Sequence, residues 1–147
     1  MLFDSLDGKV FDVKKNFFKY EANREIIAET FFKKGNNFFK EFSYIIRTNN
    51  YGLVQKTDLS QEKNSLLFLG ASFVEGQGAD AWIENIIKRN DNYQLINGGI
   101  MGTGPQQMKI LENEISKDFK VEKVLFFYNG GLMRRDPFTI GNNTIKC

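Results

Sequence analysis

SLLFLGASFVEGQG, running from Ser65 to Gly78, decides the fold. Its apolar run, Leu66-Leu67-Phe68-Leu69, stops at Gly70; Ser72 follows two residues later, then Gly76 and Gly78. An unbroken apolar run of this length predicts a strand covered on both faces, as in a parallel sheet. Glycine at its end permits a tight turn and a close approach to the backbone. Ser72 is therefore expected just past the carboxyl end of a central strand, where open α/β sheets gather ligands and chemistry.

Toward the C-terminus the pattern alternates. Asp80 to Arg89 predicts a helix with Trp82, Ile83, Ile86 and Ile87 on one face. Tyr93 to Ile96 predicts a second strand, closed by Asn97-Gly98-Gly99. Pro105 to Lys117 predicts a helix with a Met108, Leu111, Ile115 stripe, and proline suits its first turn. Val121 to Tyr128 predicts a third buried strand, closed by Asn129-Gly130-Gly131. Strands and helices alternating on short links imply parallel strands with right-handed crossovers.

Toward the N-terminus, Val10 to Val13 predicts a short strand. Glu21 to Lys34 predicts a helix from the spacing of Ala22, Ile26, Ile27, Thr30 and Phe31, stopped by Gly35-Asn36-Asn37. Phe38 to Thr48 is rich in aromatic and β-branched residues and predicts a strand, followed by a turn at Asn49-Asn50-Tyr51-Gly52. The expectation is one α/β domain. It has an N-terminal helix-and-strand extension over 1–62, a core over 63–136 and a polar tail over 137–147.

Composition narrows the function classes. With 147 residues, 41% hydrophobic and 26% charged, the chain is of ordinary globular type and long enough for a full core. The fifteen phenylalanines are expected in that core, the pairs Phe31-Phe32, Phe38-Phe39 and Phe126-Phe127 included. A net charge of +2, from 20 basic and 18 acidic residues spread along the chain, gives no support for nucleic-acid or anionic-membrane partners. No apolar run is long enough to span a bilayer and the start, MLFDSLDGKV, is unlike a signal peptide, so the expected location is cytoplasmic. Cys147 is the only cysteine, which rules out a disulfide within the chain.

Histidine is absent, which removes the commonest general base and the commonest metal ligand. Asp4, Asp7 and Asp12 lack the spacing of a calcium loop. Gly76-Gln77-Gly78 does not extend to a dinucleotide motif because Ala81 stands at the last glycine. Val74 likewise breaks the G-x-S-x-G elbow. Neither a cofactor nor a metal is expected.

What remains is geometric. Three parallel strands would end at Gly70-Ala71-Ser72, at Asn97-Gly98-Gly99 and at Tyr128-Asn129-Gly130-Gly131, on one edge of the sheet. A hydroxyl, backbone-exposing glycines and amide side chains would meet there. That set suits acyl transfer, with serine attacking a carbonyl and N–H donors holding the developing oxyanion.

The residues from about Arg47 to Asp136 resemble the SGNH (GDSL-type) hydrolases, specifically bacterial members with an N-terminal extension. Gly70-Ala71-Ser72-Phe73-Val74-Glu75-Gly76 is similar to the family's G-D-S block, Asn97-Gly98-Gly99-Ile100-Met101-Gly102 to its N-x-G/S-x-x-G block, and Arg47-Thr48-Asn49-Asn50-Tyr51-Gly52 to its R-x-N-x-x-G lead-in. The resemblance implies a three-layer, flavodoxin-like parallel sheet with Ser72 as nucleophile, Gly102 as an oxyanion donor and, after a two-residue shift, Asn129 as another. It implies a small ester or acylated carbohydrate as ligand. The pattern departs at Ala71, which replaces the block's aspartate, and at Gly131, which stands where strict spacing puts the third block's asparagine. The D-x-x-H block has no counterpart, because there is no histidine. Two expectations follow: a hydrolase truncated at its C-terminus and inactive alone, or a non-catalytic binding protein. In the first, the third strand would carry an open apolar edge prone to self-association.

Overall fold

The computed structural model describes residues 2–3, 9–12, 17–78, 82–87 and 92–128, with side chains from residue 19 onward. The chain is of α/β class. Its centre is the parallel sheet of β6 (Asn64–Gly70), β7 (Gln94–Gly99) and β8 (Lys120–Phe126), in the order β7-β6-β8. The strand predicted from the apolar run is therefore the middle one, with neighbours on both sides. Chain order reverses at β6, which makes its carboxyl end the topological switch point.

Helix α3 (Pro105–Asp118) packs over this sheet through the predicted stripe of Met108, Leu111 and Ile115, all buried. Pro105 occupies its first turn, and the Gln107 side chain accepts the Gly104 N–H at 2.9 Å. The main core joins Leu67, Leu69, Ile96, Ile100, Leu111 and Ile115. On the other side, Phe68, Val74, Ile83 and Leu95 form a second cluster. It engages α2 (Ile83–Ile87), which lies inside the predicted second-half helix.

Three expectations are corrected. First, Glu25–Lys34 is a strand, β4, within the span read as a helix. It pairs antiparallel with β5 (Asn37–Arg47) along its whole length, through a two-residue turn at Gly35-Asn36 with Gly35 at φ +63°. The apolar spacing fits either period. The deciding factor is the partner strand, together with β-branched and aromatic residues that prefer pleated backbone. Ala28 and Thr30 point inward while Ile27 is 69% exposed, an alternation of period two.

Second, the paired phenylalanines are not core. Phe32, Phe38, Phe39, Phe126 and Phe127 are all exposed, and among the described residues only Phe68 and Phe119 are buried rings of this type. In the hairpin, Phe32 and Phe39 stack on each other with centroids 5.4 Å apart. Third, β8 is present but not buried. Among the described residues it is an outer strand, with β6 as its one neighbour, and Val124 to Tyr128 are each at least 39% exposed.

Two smaller antiparallel pairings complete the N-terminal region. β1 (Leu2–Phe3) lies against β4, and β2 (Lys9–Asp12) pairs with β3 (Phe17–Tyr20). Tyr20, Ala28, Ile46 and Val54 form the core of this region. Among the described residues no helix is long and apolar enough to cross a membrane.

Candidate functional site

Ser72 lies where the apolar run predicts. It opens the one-turn helix α1 (Ser72–Glu75) immediately after β6 and is half-buried. Gly76 ends that turn in the left-handed conformation, φ +90°, and donates its N–H to Ser72 O at 3.1 Å. The glycine that follows the serine in the first block is thus a helix cap.

The end of β7 folds against this element. Ile100 donates its N–H to Gly70 O at 3.2 Å, and the Thr103 N–H returns to Ile100 O at 3.3 Å. Gly102, at φ +86°, is the third residue of that turn, a position of type II turns that requires positive φ. The turns carrying Ser72 and Gly102 are therefore neighbours. Among the described residues, the backbone N–H groups of Ser72 and Gly102 make no hydrogen bond, nor does the Ser72 hydroxyl. Two unbonded amides beside a serine are what an oxyanion site needs. Asn129, the remaining predicted donor, lies outside the described residues.

Asn97, which begins the second block, has a structural role. It is fully buried; its Nδ2 donates to Val54 O at 2.8 Å and its Oδ1 accepts the Gly99 N–H at 3.1 Å. Gln55 Oε1 accepts the Asn97 N–H at 2.8 Å. These bonds dock the lead-in segment onto β7. Asn49 folds the lead-in itself, its Oδ1 accepting the N–H groups of Tyr51 and Leu53 at 3.0 Å each.

Sequence reasoning missed Glu75 and Tyr20. Glu75 is 3% exposed, three residues after Ser72. One carboxylate oxygen accepts the Tyr20 hydroxyl and the other accepts the Met101 N–H at 2.7 Å. Burial first, then the Glu75 charge and the hydrogen bond to it, push the Tyr20 phenol far above its ordinary range, so Tyr20 donates and Glu75 accepts. Tyr44 also has its phenol pushed upward, by burial first and then by Glu75. An acidic residue between Val74 and Gly76 was the one available sequence signal. Nothing local linked it to a tyrosine 55 positions earlier.

Ala71 is buried against Met108 of α3. An apolar contact thus occupies the position of the first block's aspartate. Among the described residues no cluster of potential metal ligands is present. A cavity of about 490 Å³ opens near the start of β6 and β7, lined by Asn64, Tyr93 and Gln94 among others, at the opposite edge of the sheet from Ser72.

No protein-family model, curated protein or solved structure matches the chain.

Proposed function

We propose that the crevice at the carboxyl ends of β6 and β7 is the nucleophile and oxyanion part of an SGNH-type ester or acyl hydrolase site. On this reading the β7-β6-β8 sheet belongs to the three-layer, flavodoxin-like sheet of that family. The observation that carries the proposal is the placement of Ser72 at the head of a turn leaving the central strand, next to the turn whose Gly102 amide has no acceptor among the described residues.

In this mechanism Ser72 Oγ attacks the acyl carbonyl carbon while its proton passes to a general base. The amides of Ser72 and Gly102 hold the oxyanion, joined by Asn129. Collapse of the tetrahedral intermediate breaks the ester C–O bond. The alcohol leaves with a proton from the base, and water then cleaves the acyl-serine. The base that the family resemblance implies is a histidine, and these 147 residues hold none. The chain by itself is therefore inactive or nearly so, because a serine hydroxyl without a base is a poor nucleophile. A small ester or acylated carbohydrate as substrate rests on family analogy alone.

A second reading, a non-catalytic module that holds an acyl or sugar ligand, is favoured by the buried Ala71–Met108 contact, which replaces a polar residue of the first block.

The deciding experiment reads the gene past the Cys147 codon, expresses the full reading frame and follows p-nitrophenyl acetate hydrolysis with and without Ser72→Ala. A continuation carrying D-x-x-H and a Ser72-dependent rate support the hydrolase. A rate unchanged by Ser72→Ala, an inactive full-length protein, or a stop codon after Cys147 turns the assignment to the binding module.

A further inference from the structure

We infer that Glu75 is a positioning residue for the Gly102 turn and that Tyr20 anchors it, so that the N-terminal β region is a working part of the site. The inference rests on the hydrolase reading of Ser72 and Gly102.

The turn from Ile100 to Thr103 is closed at its far end by two bonds to Ile100 O, from the Thr103 N–H at 3.3 Å and from the Thr103 hydroxyl at 2.7 Å. Its second residue, Met101, is outside that closure and is tied to Glu75 by a bond of 2.7 Å to a charged acceptor. Charge-assisted bonds of this type are roughly twice as strong as neutral ones. The bond fixes the Ile100–Met101 peptide plane, and the Gly102 amide lies in the next plane, between that fixed plane and the Thr103 closure. The Met101 amide is thereby occupied, while the next amide in the chain is unbonded among the described residues.

Glu75 can do this only if its carboxylate is held. It sits on a helix of four residues, which offers little rigidity of its own. Tyr20 supplies the restraint. The phenol is 1% exposed, lies in the core with Ala28, Ile46 and Val54, and bonds the other carboxylate oxygen. From below, Gly99 packs on the backbone of Val74 and Glu75 so closely that no side chain fits. The carboxylate is thus gripped by one residue from the N-terminal region and grips one residue of the strand-end turn.

The test has two arms. The first measures amide hydrogen exchange in the 147-residue chain by NMR. Glu75→Ala should raise Met101 exchange at least tenfold, with Leu67 and Ile96 amides in the parallel sheet unchanged. Glu75→Gln keeps an acceptor and should hold Met101 exchange within about threefold of the parent. Should Glu75→Ala fail to fold, Tyr20→Phe carries the same test, because it frees the carboxylate while preserving the ring. Met101 exchange unmoved in both variants would overturn the inference.

The second arm uses the full reading frame of the ester assay. Glu75→Ala should lower kcat at least tenfold with KM within about twofold, and Glu75→Gln should restore kcat. A full kcat in Glu75→Ala, or a Gln variant as impaired as the Ala variant, would overturn the positioning role. An inactive parent with the expected exchange pattern would refute the hydrolase reading and leave the Glu75–Met101 restraint standing.

Discussion

Gly99 lies under Glu75 so closely that a Cβ built on it would sit 2.2 Å from Glu75 N and 2.4 Å from Val74 C. Both obstructing atoms are backbone, and neither can rotate away. The second strand end is therefore pressed onto the turn that carries Ser72. Gly99→Ala should destabilise the fold by about 1–3 kcal/mol, the usual range for forced overpacking. Urea unfolding of the variant beside the parent measures it, and an unchanged midpoint would contradict the packing.

Asn97 should matter as much for a different reason. Its side chain satisfies Val54 O and the Gly99 N–H where water cannot replace it. Asn97→Ala strands both groups and should cost about 2–4 kcal/mol. Asn97→Asp keeps the acceptor for Gly99 but sets a carboxylate oxygen against Val54 O, and should be no better. Thermal unfolding of the two variants gives the comparison.

The outer edge of β8 has no partner strand among the described residues, and Val124 to Tyr128 are exposed beside it. Such an edge recruits other chains. The 147-residue chain should show concentration-dependent self-association in sedimentation velocity, and Leu125→Lys should reduce it. A monodisperse monomer at high concentration would remove this expectation together with the open-edge explanation.

Stability should fall at high pH. Tyr20, Tyr44 and Tyr51 all have phenols pushed up from 10.0, with burial the largest cause in each. A group whose folded-state pKa is raised contributes stability that is complete below its unfolded pKa and lost as pH rises toward the folded value. Urea midpoints should hold steady to about pH 9 and then decline as unfolded-state tyrosines ionise near 10.0. Tyr20→Phe should be less stable at neutral pH and show a shallower decline. An equal slope in the two proteins would remove Tyr20 from this account.

The second half was legible because its elements are specified locally. Leu66 to Leu69 has no polar interruption, Pro105 opens a helix with one apolar stripe, and glycines punctuate both. The hairpin was not legible. Ile26, Ile27, Thr30 and Phe31 satisfy a helical spacing, and only pairing with β5 decides against it. The exposure of Phe126 and Phe127 had the same cause in reverse, since an apolar run looks buried until its neighbours are known. At the site, the position of Ser72 followed from the apolar run and Gly102 was singled out by the family resemblance, whereas Glu75 depends on a tyrosine in another sheet. That pairing leaves no trace in either local stretch.

The Tyr20–Glu75 bond also sets an order of events. The β4–β5 hairpin closes through two residues and forms on the timescale of microseconds. The bond from Tyr20 spans 55 positions and requires β6 and α1 to be in place first. Contacts of such separation bear the larger loop-closure cost and come late. Tyr20→Phe should therefore accelerate unfolding in stopped-flow measurements and leave the refolding rate nearly unchanged. Until that bond closes, the nascent chain holds a formed hairpin and an unfinished site.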